Sequence, residues 1–260
     1  MGRMLKKRVI AVILDLNGTV VQSIKFRHTN VVHYDTKHAV EAFANWSVDE
    51  IILLNVNRKA ENREQFIETL AEVSKHCFIP LTAGGWITDE SYALSLLKNG
   101  ADKLIFNTAF ADNPELINRL SKKFGRQCIV ASIDVKHDED GQAEVFVDRG
   151  SRSIQADPVT WAKHVRALGA GEIFFNSIDH DGARKGYDLE SLRSICASVD
   201  IPVIGFGGVF TWKHMLEGIE AGCDAVAAAN QFHYQENATR RAKSYLASHG
   251  VNVRHEGREL

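Results

Sequence analysis

The sequence predicts an α/β fold, a (β/α)8 barrel forming one domain over residues 1–260 from two similar half-barrels, at about residues 7–124 and 127–249. Three observations predict it. Short apolar, β-branched runs alternate with amphipathic helical segments along the chain. Eight such strand–helix units can be counted, the number that closes a parallel barrel. Finally, one plan occurs twice, as IPLTAGGWITDESYALSLLKNGADKLIFNTAF over residues 79–110 and IPVIGFGGVFTWKHMLEGIEAGCDAVAAANQF over 201–232. Both copies read Ile-Pro, strand, Gly-Gly, helix, a glycine turn ending in Asp, and strand, with spacings that agree within one residue over about thirty. An open doubly wound sheet is the competing arrangement; the repeat favours closure, because four units plus four close naturally.

In chain order, strands are expected at residues 9–14, 50–55, 80–83, 103–106, 128–133, 172–176, 203–205 and 225–228. Helices are expected at 38–44, 63–76, 89–98, 114–124, 158–168, 189–199, 212–221 and 236–249. Thr88 before Asp89, Asn113 before Pro114 and Asp157 before Pro158 supply start signals, since a short polar side chain caps the free N–H groups of a first turn and proline fits its first position. Two longer insertions, 17–35 and 136–157, follow the first strand of each half. The second alternates at EVFV and contains Asp-Gly, so it reads as a small hairpin. Both emerge where strands end, the face on which barrel enzymes carry their chemistry, and long loops there act as lids or substrate contacts.

Composition narrows the function classes. A hydrophobic content of 45% supports an extensive core, and a net charge of −2 offers no basic field for nucleic acid. Cys77, Cys128, Cys196 and Cys223 are scattered without metal-ligand spacing, as expected of reduced thiols in a cytoplasmic protein. The apolar run after the basic N-terminus is short and meets Asp15 early, so it reads as a strand and not as a leader, and no stretch is long enough to span a membrane.

Candidate site residues are those at strand ends. Gly84-Gly85 and Gly207-Gly208 each precede a helix, where free backbone N–H groups hold anions; each pair can equally just end a strand. Asn107-Thr108 and Ala229-Asn230 stand at the equivalent ends one strand later. Asp134 ends CIVASID, suited to acid–base work, with a turn or cap as the structural alternative. Asp181-Gly182 in NSIDHDG serves as a site or as a tight turn.

With these residues in place the chain resembles the cyclase subunit of imidazole glycerol phosphate synthase, from about Lys7 to Glu256, through VDEIILLNV, IPLTAGG, GADK, INRLSKKFG, ASIDVK, LGAGEI, NSIDHDG with GYDLE, and HGVNVR. The resemblance implies a two-half barrel enzyme without metal or cofactor. Its substrate is sugar-derived with a phosphate at each end, and its ammonia is delivered through the barrel from a glutaminase subunit in a heterodimer. By position, Asp134 matches the general acid. Gly84, Gly85, Asn107 and Thr108 match one phosphate region, and Asp181, Gly182, Gly207, Gly208, Ala229 and Asn230 the other. Arg8, Glu50, Lys103 and Glu172, each starting a strand, match the ammonia gate; a purely structural salt-bridged plug is the alternative.

Several positions depart from the family. Its second catalytic carboxylate ends the first strand, where ungapped alignment puts Leu14, with Asp15 one step beyond. Arg8, Ile10, Val12 and Leu14 share one strand face, so Asp15 is a catalytic candidate only if a bulge turns it back. Gln22 stands for a lysine, Asn55 for a carboxylate, Trp86 for a third glycine, Phe206 for a small residue and Asn230 for a serine. A related branch, associated with adding nitrogen as an amidino group to surface-glycan sugars, also has leucine near the first-strand Asp. The expectation is therefore an ammonia-using synthase of that branch. The histidine-pathway cyclase and a non-catalytic subunit that keeps the glutaminase interface are the alternatives.

Overall fold

The computed structural model describes residues 6–58, 62–233 and 235–254. In chain order its elements are β1 (Arg8–Leu16), β2 (Thr19–Ile24), β3 (His28–His33), α1 (Thr36–Asn45), β4 (Glu50–Asn55), α2 (Arg63–Ser74), β5 (Leu81–Gly84), α3 (Glu90–Lys98), β6 (Lys103–Phe106), α4 (Thr108–Asp112), α5 (Pro114–Phe124), β7 (Ile129–His137), β8 (Ala143–Val147), β9 (Arg152–Ser153), α6 (Pro158–Leu168), β10 (Glu172–Ser177), α7 (Leu189–Ser198), β11 (Val203–Phe206), α8 (Trp212–Glu220), β12 (Ala225–Ala228), α9 (Asn230–His233) and α10 (Ala238–Ser248).

Eight of these strands, β1, β4, β5, β6, β7, β10, β11 and β12, pair in parallel in that order, and β12 returns to β1 through Arg8↔Ala225 to Ala11↔Ala228. The sheet is a closed (β/α)8 barrel. Strand alternation divides its apolar residues between two cores. Val9, Ala11 and Ile13 of β1 face outward to the helices with Val40, Phe66 and Leu70, while Ile10, Val12 and Leu14 fill the interior with Ile52, Val130, Phe174 and Ile204. A buried ion pair fastens the last helix to the barrel, Lys243 Nζ to Asp49 Oδ1 at 2.6 Å, while Asp49 Oδ2 accepts from Val9 N.

Both insertions form hairpins on the long strands that lead them. β2 and β3 extend antiparallel from β1, and β8 and β9 from β7. A hairpin was expected only in the second. One start signal is corrected: Asp89, not Thr88, caps α3, accepting from Tyr92 N at 2.9 Å, because the helix begins at Glu90 and its cap is the residue just before it. The short α4 and α9, unexpected from the sequence, begin at Thr108 and Asn230.

Candidate active site

The centre of the barrel mouth is built by β7 and β10. Ser132 and Asp134 share the inward face of β7 with Val130, and Asn176 continues the inward row of Phe174 on β10, one register step across at Asn176↔Asp134. Ser132 Oγ donates to Asp134 Oδ1 at 3.1 Å and Asn176 Nδ2 donates to it at 3.4 Å. Burial pushes the Asp134 carboxyl up to about 7; the Ser132 and Asn176 hydrogen bonds pull it down less strongly, and the charge of Asp181 adds to the rise. A carboxyl so poised gives and takes protons near neutrality.

Asp15 lies elsewhere. No bulge interrupts β1 against β4, whose register runs unbroken from Ile10↔Glu50 to Asp15↔Asn55. Leu14 joins the interior cluster, and Asp15, fully buried, turns to the first helix, accepting from Thr36 Oγ1 at 2.6 Å and from Gly18 N at 3.3 Å. Burial raises its pKa against those two hydrogen bonds. The structure thus brings one of the two candidate carboxylates to the mouth, and the expectation that only a bulge returns Asp15 is answered by the absence of one in the β1–β4 ladder.

On one side of Asp134 a cleft opens, lined by Gln22, Asp181, Gly182, Arg184, the Gly207-Gly208 turn and Ala229-Asn230. The Asp181 carboxylate accepts from Ser23 Oγ at 2.6 Å and from Phe26 N at 3.3 Å, which fastens the β2–β3 hairpin over this side. Burial raises the pKa of Asp181 against those bonds. Gly208 has φ +85°, and a β-carbon there would lie 2.3 Å from the Gly186 carbonyl oxygen, so the turn needs glycine. The buried Oδ1 of Asn230 has no hydrogen-bond partner among the described residues.

On the other side Gly84-Gly85, Asn107 and Thr108 lie under the second hairpin. Asn107 Nδ2 donates to the carbonyls of Ser132 at 3.2 Å and Phe146 at 3.3 Å. Thr108 Oγ1 donates to Asn107 Oδ1 at 3.3 Å and accepts from Asp148 N at 3.0 Å. Trp86, at φ 60°, donates from Nε1 to the Asn57 carbonyl at 2.7 Å, and the Arg149 guanidinium lies 5.3 Å from its ring centre.

At the opposite end of the barrel the four charged strand starts form a closed ring. Arg8 Nη1 meets Glu50 Oε2 at 2.8 Å and its Nη2 meets Glu172, while Lys103 Nζ lies 2.9 Å from Glu50 Oε1 and 2.8 Å from Glu172 Oε2. Thr82 Oγ1 donates to Glu50 Oε1 at 2.7 Å. All four residues of the expected gate are together. Among the described residues no group of three or more His, Cys, Asp or Glu is placed to hold a metal ion, and no helix is long and apolar enough to cross a membrane.

Ser132, Asn176 and Arg184 were missed by sequence reasoning. The first two had a signal: polar residues at inward parity on otherwise apolar strands, where a buried side chain needs a partner. Arg184 had none, because its place depends on how the loop after β10 meets the one after β11.

Comparison with known proteins agrees with this geometry. A family model described as "Histidine biosynthesis protein" matches residues 8–238. A protein of Vibrio vulnificus (strain YJ016), named "Putative imidazole glycerol phosphate synthase subunit hisF2", is 40% identical over 256 residues, covering 98% of this chain and 93% of that one.

Proposed function

Because the chain belongs to the histidine biosynthesis protein family, as a cyclase subunit of the imidazole glycerol phosphate synthase type, we propose that it is the ammonia-using synthase subunit of a glutamine amidotransferase. Its substrate is a phosphorylated sugar derivative of the kind aminated or amidinated in surface glycans. The glutaminase partner docks at the charged ring, and ammonia reaches Asp134 along the barrel axis. The observation that supports this reading is the interior of β1, where Leu14 faces inward and Asp15 is committed to Thr36 and Gly18, which fits the resemblance's placing of Leu14 at the second carboxylate position. Removing a general acid or base costs roughly 10²–10⁴-fold in rate. A reaction run by Asp134 alone should therefore demand less proton transfer than imidazole ring closure. Ammonia addition to a carbonyl carbon fits: the C–N bond forms as the C=O π bond breaks, its electron pair passes to the oxygen, which takes the proton of Asp134, and the carboxylate then accepts a proton from the new ammonium group to leave a neutral carbinolamine.

The name of the Vibrio relative favours a second reading, the histidine-pathway cyclase itself. One experiment separates the two. The gene is placed in a strain lacking the histidine-pathway cyclase, and no growth is expected without histidine, even with abundant ammonium. Growth would establish the second reading, and its loss on Asp15→Asn would mean that Asp15 turns into the site during turnover.

A further inference from the structure

We propose that Cys196 and Cys223 are a redox-active pair: the half-buried Cys196 exchanges with a small-molecule disulfide, and Cys223 behind it resolves the adduct into an intramolecular disulfide. The bond would strap α7 to the turn that leads into β12.

The spacing of the two residues does not mark them as partners; the closed barrel puts them together. Cys196 lies in the last turn of α7, and Cys223 in the turn between α8 and β12. Gly222, at φ +110°, lets helix and turn approach: a β-carbon there would lie 3.0 Å from Cys196 Cβ and 3.7 Å from Cys196 Sγ. On its other flank the Cys223 sulfur is 3.1 Å from where a β-carbon at Gly205 of β11 would stand. Cys223 is fully buried and Cys196 partly exposed, and the two thiols are hydrogen-bonded to each other. A reagent from solvent therefore meets Cys196 first. The same turn carries Asp224, whose carbonyl accepts from Arg8 N at 3.2 Å and whose carboxylate meets Lys7 Nζ at 3.3 Å, so the strap would close beside the start of β1.

The two thiols differ in the direction that exchange requires, since the thiolate is the nucleophile. The hydrogen bond with Cys223 holds the Cys196 thiol below its ordinary range, against burial and the charge of Asp224, and the Lys7 ammonium helps. Cys223 is pushed far up by that same hydrogen bond, by burial and by the charges of Cys196 and Asp224, so it keeps its proton and donates it to Cys196. Cys77 and Cys128 are unlike this pair. Each donates from Sγ to a carbonyl oxygen, that of Ile79 at 3.4 Å and that of Phe124 at 3.3 Å, and burial raises both.

In the exchange, the Cys196 thiolate attacks one sulfur of the small disulfide, whose S–S bond breaks to release one thiolate. Cys196 then carries no charge for Cys223 to donate to, which removes the main restraint on ionisation of Cys223. The Cys223 thiolate attacks the Cys196 sulfur and expels the second small thiolate, as the two protein sulfurs close to the roughly 2.05 Å of a disulfide. Two protein thiols are oxidised, one small disulfide is reduced to two thiols, and the two protons pass to these.

The test is peptide mapping of the folded full chain after exposure to oxidised glutathione, with remaining thiols alkylated under denaturing, non-reducing conditions. One cross-link is expected, Cys196 to Cys223, with Cys77 and Cys128 recovered as alkylated thiols. Recovery of every cysteine as a thiol, glutathione retained on Cys196, or a bridge through Cys77 or Cys128 overturns the proposal. In Cys223→Ala the reaction should stop with glutathione on Cys196, and in Cys196→Ser neither bridge nor adduct should form; an adduct at Cys223 overturns the order of attack. A second measurement needs no variant. Near neutral pH, iodoacetamide should alkylate Cys196 of the wild-type chain at least about tenfold faster than Cys77 or Cys128. Equal rates overturn the assignment of Cys196 as the attacking thiol. No ammonia, glutaminase or substrate enters these measurements, so their outcome is independent of the synthase reading.

Discussion

At Asp134 burial, more than the neighbouring charge of Asp181, keeps the carboxyl protonated to near neutrality, as the proposed acid of the reaction requires. Its carboxyl stands at about 7 because leaving water disfavours the anion more than Ser132 and Asn176 stabilise it. As the acid of the reaction it must be protonated, so kcat/KM should fall about tenfold per pH unit above about 7, visible in a pH–rate profile. Asp134→Asn should lower turnover at least about 10²-fold. Stability should move the other way. The unfolded carboxyl ionises near about 3.9, whereas the folded one keeps its proton to about 7. The stability it contributes is complete below the unfolded value and is lost as pH climbs through the folded one. Thermal unfolding should therefore find Asp134→Asn at least as stable as wild type at about pH 8, with the advantage gone by about pH 4. A variant that melts lower at the alkaline end would give the carboxylate a packing role.

At the scale of elements, β1, β4, β6 and β10 each begin with a charge, and closure of the barrel turns four strand starts into one ring. Glu50 and Glu172 are buried, so each depends on both cations for compensation. Lys103 bridges the two carboxylates from the side opposite Arg8. In Lys103→Met the ring opens while the mouth is untouched. Glutamine-driven turnover should then fall at least about tenfold while ammonium-driven turnover stays within about threefold, as expected of a part outside the chemical step. Equal loss with both nitrogen sources would make the ring a structural plug. Its removal should also cost stability, of order 3–5 kcal/mol for a broken buried pair, so denaturant midpoints belong beside the kinetics. The hairpins are the other element-level device. β2–β3 grows from β1 and fastens to Asp181 beside the open cleft, while β8–β9 grows from β7 and is joined to Thr108 through Asp148 N.

The whole molecule separates two faces, with the Asp134 carboxyl at the ends of the strands and the charged ring at their starts. The ring face also carries Phe78, 92% exposed in the connection from α2 to β5, the most exposed large apolar side chain among the described residues. An exposed aromatic on the face that carries a charged ring has the character of an interface anchor. Phe78→Ser should weaken binding of the proposed glutaminase by at least about tenfold, measured by co-purification and titration, and should leave the melting temperature nearly unchanged because the side chain is 92% exposed. Undiminished affinity would move the docking surface off this face.

Alternation along single strands was legible without a structure. A period of two placed Arg8 and Leu14 inside and Asp15 outside, and the unbroken β1–β4 ladder agrees. Strand starts bearing opposed charges, Asn113-Pro114 and Asp157-Pro158 caps, and the doubled Gly-Gly plan were equally local patterns, complete within a few residues. What joins distant segments was not written locally. The Asp134 hydrogen bond from Asn176 crosses 42 residues, that of Thr108 with Asp148 crosses 40, and that of Ser23 with Asp181 crosses 158. Each depends on which loops the closed barrel brings together. The period of a strand thus determined which side chains face inward, and only barrel closure decided which of them meet. For that reason the repeated Gly-Gly plan could be read from the chain, whereas the loops that meet at each Gly-Gly turn were decided by tertiary packing.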